Sequence, residues 1–216
     1  MIGEEAGVPR DTRQAILNAA KRLFNERGYN DVTTRDIADA LSISKGNLTY
    51  YFKKKEDIVE ALVAEPSGDA VGRPPKTVAE LDGFLSHIQD VVQENAFYFW
   101  HHAQLAQVSP RIHELQAAAF KRNAETLMGS FRLLVEGGLM REEEYPGEHR
   151  RASDAVLLAS VYWIPFCELR EDPARAGFSA QAWAALYPLL TEQGKAAYAA
   201  CQVGRADRQS IGKDAR

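Results

Sequence analysis

Ser42-Ile43-Ser44-Lys45-Gly46-Asn47-Leu48-Thr49-Tyr50-Tyr51-Phe52-Lys53-Lys54-Lys55-Glu56-Asp57-Ile58 is the stretch that decides the fold of this 216-residue chain. It opens on a small polar turn, continues as a short helix carrying Lys45, Asn47, Thr49, Tyr50 and Tyr51, and closes on three consecutive lysines. The preceding residues, Thr33 to Leu41, read as another short helix. Two short helices joined by a tight turn, the second rich in hydrogen-bonding and cationic side chains, form the pattern of a helix-turn-helix reader of DNA.

Working outward, helical spacing predicts a compact three-helix head. Ile16, Ala19, Ala20, Leu23 and Phe24 follow the i, i+3, i+4, i+7, i+8 rule and give the first helix one apolar stripe. Asp11 or Thr12 can cap its start, and Gly28 ends it where a left-handed residue is favoured. Thr33 or Thr34 caps the second helix, whose inward residues are Ile37, Ala38 and Leu41. Ser44 can cap the third, and Leu48 with Phe52 would pin it against Leu23, Phe24 and Ile37. A fourth helix starts near Lys55 and runs through Ile58, Leu62 and Val63. Three consecutive aromatics, Tyr50 to Phe52, cannot share one side of a helix, so at least one must be exposed.

Charge is distributed unevenly. The chain carries −4 overall, and residues 1–63 hold ten Lys/Arg against ten Asp/Glu. Between Leu41 and Lys55, however, there are four lysines and no acid. A local cationic edge suffices to meet phosphates while an acidic body limits binding to random DNA. The Lys53–Lys55 run taken alone would read as a solvated helix end; beside a helix-turn-helix it reads as phosphate-facing. No apolar run is expected to reach a membrane span, and no secretory leader is apparent. Two distant cysteines, Cys167 and Cys201, fit a reducing cytoplasm.

From Thr12 to Val63 the chain resembles the DNA-binding head of the tetracycline-repressor (TetR) family. The likeness runs through Ile16-Leu17, Ala20, Leu23-Phe24, Gly28-Tyr29, Thr33-Thr34, Ile37-Ala38, Leu41, Ser44 to Leu48, Tyr50 to Phe52 and Lys55 to Ile58. It implies a homodimer that places each recognition helix in a major groove of a DNA operator. Carried onto this sequence, it implies DNA contacts from Thr33, Thr34, Arg35, Ser44, Lys45, Gly46, Asn47, Thr49, Tyr50, Tyr51 and Lys55. Thr33, Thr34, Tyr50, Tyr51 and Lys55 would meet phosphates, and Lys45, Gly46 and Asn47 would approach base edges. Lysine can donate to guanine, asparagine can pair with adenine, and the threonine methyl can touch thymine. Which residues read bases and which grip phosphate stays open. Thr49 departs from the pattern, standing where family members often carry an aromatic side chain.

The fold class expected is all-α: a three-helix head over residues 10–63, a Pro/Gly-rich connector over 64–76, and a helical effector-binding and dimerisation domain over 77–202. A disordered tail is expected over 203–216. Helical patterns fall at about 77–95, 97–107, 110–138, 148–171 and 179–201, the last interrupted at Pro188. The segment Ala155 to Phe166 is apolar nearly all round, so both of its faces must be covered. A dimer interface through Leu158, Val161 and Phe166, with Trp183, Leu186 and Leu190 as a second ridge, answers that need, and a fully internal helix is the alternative. Phe97, Trp100, His101, Gln104, Phe120, Asn123, Met128, Phe131, Tyr162 and Trp163 form a candidate pocket for a small apolar effector, against plain core packing for each.

No metal or cofactor is expected. Adjacent His101 and His102 point about 100° apart on a helix and would rarely share an ion. Glu142-Glu143-Glu144 reads as solvated charge, and no phosphate loop, nucleophile elbow or zinc spacing argues for an enzyme. The expected function is a one-component transcriptional repressor, bound to a near-palindromic operator as a homodimer and released by its effector. A helical enzyme, a protein-interaction adaptor and a constitutive DNA-binding regulator without ligand are the competing readings.

Overall fold

A computed structural model of the protein describes residues 10–64, 73–171 and 177–211. Regular structure among the described residues is helical: α1 (Arg10–Arg27), α2 (Thr34–Ala40), α3 (Lys45–Tyr51), α4 (Lys55–Ala64), α5 (Val78–Glu94), α6 (Ala96–Trp100), α7 (His102–Val108) and α8 (Pro110–Glu136). There follow α9 (Glu148–Leu169), α10 (Phe178–Leu186), a 3₁₀ turn over Tyr187–Leu189, and α11 (Glu192–Ile211). One isolated antiparallel bridge joins Met140 to Leu190. The all-α class is therefore the observed one, and Pro188 interrupts the last helical stretch inside the 3₁₀ turn.

Two compact units divide the chain, the first from residues 1–66 with 95–117 and the second from 67–94 with 118–216. In the first, the apolar stripe of α1 is buried as its spacing predicts, with Ile16, Leu17, Ala20 and Phe24 fully enclosed. Ile37, Leu48, Ile58 and Val59 complete that core. Gly28 ends α1 at φ +84°, a conformation that favours glycine.

The first unit is larger than the head drawn from sequence. Residues 95–117, expected in the second domain, contribute Phe97, Leu105 and Ile112 to the same core. Phe97 stacks on Phe24 at 5.2 Å, and its amide donates to Asn25 Oδ1 at 3.0 Å. Periodicity identifies a buried face but not the neighbour that buries it, which is why this segment was assigned elsewhere.

In the second unit, α5, α9, α10 and α11 pack together. Trp183 Nε1 donates to the buried Asp82 carboxylate at 2.9 Å, and Ser179 N donates to Gln89 Oε1 at 3.2 Å. The loop before α9 is closed by ion pairing. Arg141 donates two hydrogen bonds to Glu148, at 2.8 and 2.7 Å, which with the Glu144 amide holds that carboxyl down to about 2. Glu143, read as solvated charge, instead accepts from the amides of Gly147 and His149 and secures the first turn of α9.

Two expectations change here. Helix α9 is, by length and composition, apolar enough to cross a membrane, although 39% of that window is buried inside the bundle. The apolar core of that helix, Ala155 to Phe166, is by itself too short for a span. The tail expected to be disordered from Val203 continues as α11 to Ile211, extending a helix whose alanine cluster, Ala196, Ala197, Ala199 and Ala200, lies before that point. Residues 65–72 of the expected connector lie outside the described residues, and 73–77 are non-helical.

Candidate nucleic-acid interface

Capping fixes the two short helices, which are too short to be stable by propensity alone. The Thr33 hydroxyl accepts from the Asp36 amide while Asp36 accepts from the Thr33 amide at 2.8 Å, a complete capping box. The hydroxyl also donates to Asp36, and these Thr33 bonds, with Arg27 nearby, hold the Asp36 carboxyl below its ordinary value. Thr33 is thus committed to its own helix, its hydroxyl engaged with Asp36. Arg35 is exposed and lies 3.8 Å from Asp39.

The turn reverses at Ser42, which takes φ +55°, and Ile43 N donates back to Ala38 O at 3.1 Å. Ser44 then caps α3, accepting from the Asn47 amide at 3.1 Å. Within α3 only Leu48 is buried. At 100° per residue, the opposite surface has Gly46 and Tyr50 at its centre, Lys45 and Thr49 along one edge, and Asn47 and Tyr51 along the other. Tyr50 is 84% exposed and meets the ring of Tyr51 edge-on at 5.2 Å. Lys45, Gly46, Asn47, Thr49 and Tyr50 are therefore exposed together, whereas Tyr51 is half-buried and packs against the core of the head.

Gly46 is informative by what surrounds it. A Cβ there would meet only Ser44 Oγ, at 3.8 Å, an ordinary contact. The fold itself has no need of glycine at this position. Thr49 has committed its proton, because Oγ1 donates to Lys45 O at 2.8 Å.

Lys55 behaves differently from its neighbours. Its Nζ donates to Tyr29 O at 2.7 Å and Val32 O at 2.9 Å and sits 4.1 Å above the centre of the Tyr29 ring. Burial lowers its pKa, opposed by the nearby charges of Glu56 and Asp31. The ammonium expected on DNA phosphate is thus a clip between α4 and the loop after α1. A run of three lysines gives no sign of which one turns inward. Lys53 and Lys54 stay exposed, their amides donating to Asp57 Oδ2 at 3.0 and 3.2 Å. Arg13 escaped the sequence reading: its guanidinium lies 5.3 Å from the centre of the Phe52 ring, putting a cation beside the end of α3.

Residues 16–62 match the family described as bacterial regulatory proteins, tetR family. The chain is 24% identical to the HTH-type transcriptional regulator UidR of Escherichia coli strain K12 over 176 residues, 79% of this chain and 88% of that protein. Against the HTH-type transcriptional repressor AcnR of Corynebacterium glutamicum it is 30% identical over 92 residues, 43% of this chain and 46% of the relative. A TetR-family transcriptional regulator of Marinobacter aquaeolei VT8 shares the fold at a TM-score of 0.80 and 23% identity, covering 88% of this chain and 97% of that one. Residues 16–62 form a tetR-family head. Its relatives are transcriptional regulators and not enzymes.

The body departs from the sequence reading in its details. The expected pocket residues do not gather in one unit: Phe97, Trp100, His101 and Gln104 lie in the first, the other six in the second. In the first unit, His101 Nδ1 pairs with Gln104 Oε1 at 2.9 Å, and Gln104 Nε2 donates to Asn30 Oδ1 at 2.9 Å. His102 lies edge-on to Tyr98, and burial lowers its pKa, so the two histidines serve different neighbours. In the second, Phe131 is core, while Phe120 and Tyr162 are exposed. Trp163 lines an open cleft of about 340 Å³ with Phe166, Cys167, Arg170, Gly177, Ala180 and Gln181. No group of three or more His, Cys, Asp or Glu residues suited to a metal occurs among the described residues.

Half of the expected dimer ridge is also internal. Trp183, Leu186 and Leu190 are buried within their own unit, drawn in by the Asp82 bond and by packing against α5 and α9. Leu158 at 62% and Phe166 at 43% do face outward, joined by Tyr162 and Leu169 on the same edge of α9. Val161 is half-buried. An exposed small-residue face of α11, Ala196, Ala199, Ala200 and Val203, was not singled out from sequence. Their i, i+3, i+4, i+7 spacing was readable but was overshadowed by the bulkier pattern before it.

Proposed function

We propose that this tetR-family protein is a cytoplasmic homodimeric repressor whose outward α3 surface enters successive major grooves of a near-palindromic operator, and that a small apolar compound releases it. The observation that carries this reading is α3 itself, a capped helix that buries Leu48 and leaves Lys45, Gly46, Asn47, Thr49 and Tyr50 exposed to a partner. The exposed edge of α9 supports dimerisation, because an apolar row of Leu158, Tyr162, Phe166 and Leu169 on a helix surface calls for cover. Two such subunits would fix the spacing of the half-sites. Effector control draws support from proteins of the same fold: SmeT has been solved in complex with triclosan, and KstR2 of Mycobacterium tuberculosis is a ketosteroid transcriptional regulator.

Selection of bound duplexes from random DNA tests the proposal directly. Enrichment of an inverted repeat whose affinity falls steeply with salt is the expected result. Absence of any enriched sequence at low ionic strength would overturn it. Titrating the complex with apolar compounds then separates effector release from constitutive repression.

A further inference from the structure

The hydroxyl of Thr49 is occupied by its own helix, and this changes what the residue presents to DNA. Oγ1 donates its only proton to Lys45 O at 2.8 Å, one turn back. That bond fixes the rotamer and turns the oxygen along the helix surface toward Lys45. The methyl group is left as the free end of an exposed side chain. Thr49 shares its edge of α3 with Lys45, an exposed residue at the first helical position, where recognition helices meet base edges. Of the four bases, thymine alone carries a methyl group in the major groove, and apolar contact with it is a recognised mode of readout.

We propose that Thr49 is a specificity-determining residue that selects one thymine in each half-site through methyl–methyl contact, and not through its hydroxyl. The inference rests on the proposed DNA-binding reading.

Duplexes selected by the full-length protein provide the probe, with each thymine replaced in turn by deoxyuracil, which lacks only the 5-methyl group. One position per half-site should lose about fourfold in affinity on replacement, the worth of one buried methyl-sized group. Two variants locate the cause. Thr49→Val keeps the methyl and should preserve the thymine preference; Thr49→Ser keeps the hydroxyl and should erase it. Retention of the preference in Thr49→Ser with its loss in Thr49→Val would assign readout to the hydroxyl and overturn the proposal. Equal thymine-to-uracil ratios for the parent protein and Thr49→Ser at every position would also overturn it, while leaving specific DNA binding intact. Failure to enrich any duplex would instead overturn the DNA-binding reading beneath it.

Discussion

Replacing Gly46 by alanine separates what the fold needs from what the operator needs. Glycine inside a helix costs about 0.5–1 kcal/mol relative to alanine, because more backbone freedom is lost on folding. At this site the new Cβ would lie 3.8 Å from Ser44 Oγ with no closer neighbour, so nothing in the protein opposes the gain. Gly46→Ala should therefore raise the thermal midpoint by about 1–4 °C, read by calorimetry. The same methyl stands at the centre of the α3 surface, beside Tyr50, where the backbone would approach DNA. Overpacking of a close contact costs about 1–3 kcal/mol, or roughly 5- to 150-fold in affinity, read by fluorescence anisotropy on a selected operator. Greater stability together with weaker binding is the expected outcome. A variant that binds as tightly as the parent would show that DNA does not press on this part of the helix, and one that melts earlier would refute the contact geometry.

Other perturbations test other links. Lys55→Ala should cost about 2 kcal/mol by freeing the carbonyls of Tyr29 and Val32. The corresponding drop in thermal midpoint is about 4–8 °C, whereas a phosphate-contacting lysine would lose affinity at unchanged stability. Thr33→Val should remove the cap of α2 at a cost of about 1 kcal/mol, measured by urea unfolding. Leu158→Glu with Tyr162→Glu should give a folded monomer in analytical ultracentrifugation, and persistence of a dimer would move the interface off the α9 edge. The Glu148 carboxyl sits at about 2 when folded, against 4.5 in the free group, so the stability it lends is complete above about pH 4.5 and is lost as pH falls toward 2. Glu148→Gln should flatten acid unfolding across that window, as followed by circular dichroism.

The head was largely legible because its signals are local. Caps, a terminating glycine and a 3.6-residue stripe each depend on residues a few positions apart, and Thr33, Ser44, Gly28 and Ile16 through Phe24 take the places those signals assign. What sequence could not supply was the identity of distant neighbours. Phe97 reads as an aromatic near a pocket until Phe24 is found beside it. Trp183 reads as an interface anchor until Asp82, 101 residues away, is found accepting from its indole. Lys55 reads like Lys53 and Lys54 until the carbonyls after α1 are seen to converge on it. Amphipathic spacing gives the direction in which a side chain faces, and only the folded chain shows whether its own residues or another molecule waits there.

A helix that contributes a single buried leucine to its domain leaves natural selection almost free to rewrite the rest. Under the proposed DNA-binding role, exchanges at Lys45, Asn47 or Thr49 would alter which operators are recognised with little penalty in folding, so duplicated copies of such a gene could diverge toward new targets in single steps. For the same reason, a screen for thermal robustness would pass over changes of target unnoticed.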